Sequence, residues 1–249
     1  MDKPFLVVLT GRRRAGKDTF ADVLKENFPN ETLDFAIADW FKEALSAAFG
    51  IELAAFYDDR KDATWDYTTT VNQHHVASLA KILSSYTDKS VAFYEDKLAS
   101  HIGTEINSNR RLMEWFGFDF VRNQLGDVIN CEITSRRIDN AVLTWQALNH
   151  GKVLKAIVIK DARTYDQSKW FSDNADVPVL RIRITRLHGG TNVDSGVEAA
   201  TEQFPTGWFD HELTNPYPAR DEYVASILKL LSEETKKHTT GHHLTFAAP

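Results

Sequence analysis

The sequence is short of cysteine, of net positive charge and of long apolar runs, and each shortage removes a class of function. A single cysteine, Cys131, rules out an intramolecular disulfide and fits a reducing compartment, so the cytoplasm is the expected location. With 29 Lys+Arg against 35 Asp+Glu and a formal net charge of -6, there is no electrostatic reason to expect affinity for a nucleic-acid backbone. Nucleic acid is not an expected partner, and any phosphate binding has to be local. No apolar run approaches the roughly 20 residues that span a bilayer. Residues 1–17 pass from a short apolar stretch into arginines, an order foreign to a secretory signal, so no membrane partner is expected. The nine histidines include His74, His75, His242 and His243, yet no cysteine or carboxylate stands at zinc spacing from them, and no structural metal is expected.

What is present reads as one α/β domain over residues 1–249, a length at which a single core suffices. Residues 5–10 (FLVVLT) form a short apolar, β-branched run of the kind buried on both faces of a parallel sheet. From Asp18 the apolar residues Phe20, Val23, Leu24 and Phe28 take helical spacing. Residues 33–37 read as a second strand. A helix follows, with Phe41, Leu45, Ala48 and Phe49 on one face, and Gly50 stops it. Residues 51–109 are less regular and are expected to form a mobile helical cap insert rather than sheet, closing over an acceptor and excluding water. Helices are expected at 110–120 and 137–149, and strands at 153–159 and 179–184 with a crossover helix between them. Strands alternating with helices imply a parallel sheet flanked by helices. A last amphipathic helix carries Tyr223, Ile227, Leu230 and Leu231 on one side and precedes a His/Thr-rich tail, 236–249, expected to be disordered.

The sharpest signal is Gly11-Arg12-Arg13-Arg14-Ala15-Gly16-Lys17-Asp18-Thr19. It has the GxxxxGK frame of a P-loop, and it lies between an expected buried strand and an expected helix, the context that motif requires. Gly11 and Gly16 allow a backbone that turns successive N–H groups inward, the helix start adds a positive dipole end, and Lys17 can reach the β and γ phosphates of a nucleoside triphosphate. Asp18 occupies the position where Ser or Thr usually meets Mg²⁺, and a carboxylate can bind that ion directly or through water. Thr19 is displaced by roughly 100° around the helix and is no direct substitute.

Phosphoryl transfer asks mainly for positive charge around the moving group and an acceptor held in line. Candidate cations outside the loop are Arg110 and Arg111 at a helix start, Arg163 just past a strand and Arg186 at the end of another, guanidinium groups suiting phosphate oxygens in bidentate fashion. Asp161, beside Arg163, stands at the carboxyl end of a strand, where ligands gather in open parallel sheets; it can order Mg²⁺ or orient Arg163, although an ordinary surface pair is the competing reading. Arg136 and Arg137 read as a solvated basic face. The aromatic residues Trp40, Trp65, Tyr67, Trp115, Phe116 and Phe118 are mostly core or cap packing, with base stacking open to any of them.

Four blocks give the sequence a resemblance to phage deoxynucleoside monophosphate kinases: the loop ending Gly16-Lys17-Asp18-Thr19; Ala38 through Leu45 (ADWFKEAL); Arg110-Arg111-Leu112-Met113 with Gly117 and Asp119; and Asp161-Ala162-Arg163. The pattern departs at Trp40, where the family has proline, and at Asn130, where an aromatic residue is expected. The resemblance implies a P-loop NTPase of the nucleoside monophosphate kinase type, with ATP and Mg²⁺ as donor pair and a deoxynucleoside monophosphate as acceptor across a broad range of bases, and with a homodimer as the candidate assembly. It assigns Lys17 and Arg163 to phosphates, Asp18 and Asp161 to metal or arginine ordering, and Lys42, Arg110, Arg111 and Asp119 to the acceptor side. Alternatives are another small-molecule P-loop kinase, such as one acting on phosphomevalonate or dephospho-coenzyme A, and a nucleotide-binding ATPase module with no acceptor.

Overall fold

The computed structural model describes residues 4–187 and 203–239. Along the chain run β1 (Phe5–Thr10), α1 (Lys17–Asn27), β2 (Thr32–Phe35), α2 (Asp39–Phe49), β3 (Thr64–Thr70), α3 (Gln73–Tyr86), α4 (Val91–Ala99), β4 (Glu105–Ser108) and α5 (Asn109–Glu114). After them come a π-helical segment, Trp115–Leu125, then α6 (Val128–Leu148), β5 (Ala156–Ile159), α7 (Tyr165–Asn174), β6 (Val179–Arg186), β7 (His211–Asn215) and α8 (Arg220–Thr239). The chain divides into two compact units, Met1–Ala36 with Asn140–Pro249, and Ile37–Asp139. No helix among the described residues is long and apolar enough to cross a membrane.

The first unit is α/β. Its five strands, all parallel, lie in the order β2-β5-β1-β6-β7, which makes β1 the middle strand with a neighbour on each side. All six of its residues are buried, which is why the run is apolar throughout rather than alternating. Helices α1 and α8 share a core with the sheet through Phe20, Val23, Leu24, Tyr223 and Ile227 against Val7, Leu9, Val158 and Ile182, and α7 packs against β1 and β6. Each such side chain removed from water stabilises the fold by about 1.5–3 kcal/mol.

The second unit holds a separate, mainly helical core built on Trp40, Leu45, Leu79, Leu83, Tyr94, Leu112, Trp115, Phe116 and Phe120. Residues 51–109, expected to lack sheet, lie within this unit and include a two-stranded antiparallel ribbon of β3 and β4. The composition of β3, TWDYTTT, explains it: β-branched and aromatic residues favour the extended chain even where most of them are exposed. The register jumps from Thr64↔Ser108 to Thr69↔Ile106, so the residues that include Trp65 and Tyr67 bulge from the ribbon and stack with ring centroids 5.2 Å apart.

The expected helix 110–120 is α5 continued by π-helical turns. Here Gly117 takes the ring of Phe41, since a Cβ at that position would sit 3.3 Å from Phe41 Cζ. The expected helix 137–149 starts earlier, at Val128. Strand β7 carries one apolar residue, Leu213, and is absent from the sequence reading. Helix α8 continues to Thr239, so residues 236–239 of the expected tail are helical; the rest of that tail lies outside the described residues.

Candidate functional site

Residues 11–16 leave the carboxyl end of β1 and enter α1. Two glycines make this path possible. A Cβ at Gly11 would stand 2.3 Å from the carbonyl oxygen of Ile184 on the neighbouring strand, a contact that backbone cannot relieve. Gly16 sits at φ +112, and a Cβ there would meet Asn215 Nδ2 at 2.6 Å and Tyr223 Cε1 at 2.9 Å. Between them Arg14 holds a left-handed φ of 61, a conformation worth noting in a residue other than glycine. Such a turn, followed directly by a helix start, gathers N–H groups and a dipole end at one point.

Lys17, the first residue of α1, is buried. Its ammonium folds back over the loop and donates to the carbonyl oxygens of Gly11 at 2.6 Å and Arg12 at 2.8 Å. The loop is also held from its other side, where Asn215 Nδ2 donates to the carbonyl of Ala15 at 2.9 Å and the Tyr223 hydroxyl to that of Gly16 at 3.1 Å. Arg12, Arg13 and Arg14 are exposed.

Neighbouring strand ends add charge to the same edge of the sheet. Past β5, Lys160 places its ammonium 2.7 Å from Asp34 and 3.7 Å from Asp18. Burial alone would push the Asp34 carboxyl up, but hydrogen bonds and charge from Lys160 and Lys25 hold it below the ordinary carboxylate value. Asp18 has an 87% exposed side chain and Thr19 lies one position further into α1. Asp161 and Arg163 follow in the β5–α7 connection, where the Arg163 backbone N–H donates to Gln167 Oε1 at 2.9 Å.

At the end of β6, Arg186 lies with its guanidinium carbon 3.6 Å from the ring centroid of Tyr217. Its Nε is buried and, among the described residues, has no hydrogen-bond partner. A buried, unsatisfied donor on a charged group is costly, and an anion brought to this edge would satisfy it. Asp18, Asp161, Arg163, Arg186 and the loop are thus brought to the carboxyl ends of three adjacent strands. A cavity of about 360 Å³ lined by Phe5, Pro178, Val179, Asp210, His211 and Glu234 belongs instead to the amino ends of β1, β6 and β7.

The acceptor-side candidates belong to the second unit, and each is paired there with a carboxylate. Lys42 on α2 lies 3.4 Å from Asp39 and 3.9 Å from the ring centroid of Tyr57, whose hydroxyl donates to Asp39 at 2.8 Å. Arg110 holds Asp62 through Nε at 2.9 Å and Nη2 at 2.6 Å, and Arg111 lies 3.1 Å from Asp119. These pairs are partly exposed, so they contribute little to stability.

Arg137, expected to be merely solvated, makes a bidentate pair with Glu43 at 2.7 Å for each bond. Arg136 meets Asp88 at the surface. Of the six aromatic candidates, Trp40, Trp115 and Phe116 are core, while Phe118 and Tyr67 are exposed. Among the described residues no group of three or more His, Cys, Asp or Glu is placed to hold a metal ion.

Asn215, Tyr223, Lys160 and Asp34 escaped the sequence reading. Asn215 left a trace in the Asn-Pro turn signal it forms with Pro216, and Tyr223 only in the apolar spacing of the last helix. Compared with known proteins, the chain matches no family model and no curated protein.

Proposed function

We propose that the chain is an ATP-dependent phosphotransferase of P-loop type that moves the γ-phosphate onto a small phosphorylated acceptor, a deoxynucleoside monophosphate. One observation carries the reading. The loop from Gly11 to Lys17 follows the middle strand of a parallel sheet, with its carbonyls tied back by Asn215 and Tyr223, its lysine folded over it and, at the neighbouring strand end, an arginine whose Nε finds no acceptor among the described residues. A bound polyphosphate would draw on the loop N–H groups, the lysine and the arginine together.

In this reading the loop N–H groups hold the donor phosphates, and Lys17 releases its carbonyls to reach the β and γ groups. Arg163 and Arg186 offset the charge that spreads over the transferring phosphoryl group. Asp18 and Asp161 would hold Mg²⁺, which needs only one or two carboxylates when phosphates and water supply its other ligands; the exposed carboxylate of Asp18 at the helix start fits that donor set. When bound, the ion would neutralise phosphate charge. On the acceptor side, Lys42, Arg110, Arg111 and Asp119 recognise a phosphate and sugar by exchanging their present partners, and the exposed ring of Tyr67, stacked on the half-buried Trp65, favours an acceptor that carries a base.

The test is phosphate transfer from ATP to each of the four deoxynucleoside monophosphates, their ribonucleotide counterparts and phosphomevalonate, with products resolved individually. Diphosphates formed chiefly from the deoxynucleotides are expected. Transfer to phosphomevalonate alone would move the acceptor to another class, and ATP hydrolysis with no transfer would replace the kinase reading by that of an ATPase module.

A further inference from the structure

We infer that Asn215 and Tyr223 are positioning residues of the phosphate loop, so that β7 and α8 belong to the nucleotide-binding apparatus; the inference rests on the function proposed above. An anion cradle works only while its peptide N–H groups face inward and its carbonyls face away. Lys17 holds the carbonyls of Gly11 and Arg12, and that of Gly16 also accepts the first N–H of α1, from Phe20, at 3.0 Å, but glycine lets the peptide that joins Ala15 to Gly16 rotate at little cost. A rotated peptide between residues 15 and 16 would aim oxygen lone pairs at the bound phosphate. Two side chains from different elements hold consecutive carbonyls, those of Ala15 and Gly16, at 2.9 and 3.1 Å.

The same two side chains also shape the space. They are the atoms a Cβ at Gly16 would strike, so Gly16, Asn215 and Tyr223 fit together as a set, and the glycine is demanded by its neighbours as well as by its own backbone. Asn215 is the last residue of β7, level with Arg186 on β6, and its carbonyl accepts from the Leu187 N–H at 3.2 Å; the sheet therefore fixes the point from which the amide reaches. Tyr223 is 1% exposed, and burial pushes its phenol above the ordinary value, so it remains a donor at neutral pH. At the far end of the same strand, His211 Nε2 lies 2.7 Å from Glu234 on α8, which ties strand and helix to each other at a second point.

The experiment compares the full-length chain with Asn215→Leu, Tyr223→Phe and the double variant. Tyr223→Phe keeps the ring against Gly16 and removes only the hydroxyl, so its folding is not in question. Calorimetric binding of inorganic tripolyphosphate and of ATP with Mg²⁺ is measured alongside melting temperature and amide exchange over residues 11–17. Each single change is expected to weaken both ligands about fivefold, the worth of one neutral hydrogen bond, and the double change more than either alone. Faster exchange confined to the loop is expected with them.

Wild type that binds while the double variant binds within twofold of it would overturn the inference, as would a lowered melting temperature with unchanged affinity. Wild type that binds neither probe would instead remove the functional reading on which it rests.

Discussion

The indole N–H of Trp40 donates to the side-chain oxygen of Asn130 at 3.1 Å, both residues being buried. They are the two positions at which the sequence departs from the kinase pattern it resembles. A buried indole N–H needs an acceptor, and the amide on α6 provides one, so the two departures form one feature. Asn130→Ala should destabilise the chain by about 1–3 kcal/mol by leaving that N–H unpaired, and should do less harm in a Trp40→Phe background. A urea-unfolding double-mutant cycle measures the coupling; strictly additive losses would mean that the bond contributes nothing.

Arg186 invites the opposite pairing of effects. Its Nε is buried without a partner among the described residues, so Arg186→Met removes an unsatisfied donor and should leave the melting temperature unchanged or raised. Affinity for ATP should fall by about 10- to 100-fold if the guanidinium completes its bonding on a phosphate. Joint measurement of melting and binding separates the two effects, and unchanged affinity would remove Arg186 from the site.

Gly16→Ala should lose both fold stability and nucleotide binding. The new methyl group would lie 2.6 Å from Asn215 Nδ2 and 2.9 Å from Tyr223 Cε1, at a backbone φ of +112. Each of these two faults costs about 1–3 kcal/mol. Thermal denaturation checks the first loss and ATP calorimetry the second.

What the sequence made legible follows from how each feature is buried. Strands β1, β5 and β6 have neighbours on both sides; β1 and β5 read as apolar runs and β6 as a β-branched run alternating with arginines, and the loop is legible from its glycines and lysine. Strand β7 lies at the sheet edge and offers one apolar residue, so no periodicity marks it, and Asn215 went unseen with it. Tyr223 shows its helical spacing but not what its hydroxyl meets, a carbonyl 207 positions away. Trp40 and Asn130 are 90 positions apart, beyond any local pattern. The π-helical turns keep the i, i+4 spacing of Leu112, Phe116 and Phe120, and that periodicity reads as ordinary helix.

The second unit should weaken in mild acid. Trp115 Nε1 donates to His101 Nδ1 at 3.1 Å, which requires a neutral ring, and burial lowers the His101 value from 6.5. With the folded-state pKa below the unfolded one, the unfolded chain binds the proton more readily between the two. Stability is therefore whole above about pH 6.5 and declines as pH falls below it. Urea midpoints taken from pH 7.5 down to 5 should show this decline, and His101→Gln should flatten it; an unaltered slope would assign the effect elsewhere.

The position of β1 in the sheet also dictates an order of events during synthesis. It leaves the ribosome well before the strands on either side of it, β5 and β6, which end at Ile159 and Arg186. Residues 37–139, which have a core of their own, are complete before either strand appears. The growing chain therefore carries an unpartnered apolar strand, FLVVLT, until β5 at Ala156–Ile159 has been made, an exposure of the kind that favours misassociation. Charged residues flanking such a segment restrain that outcome, and Arg12, Arg13 and Arg14 stand just past the end of β1 in that flanking position.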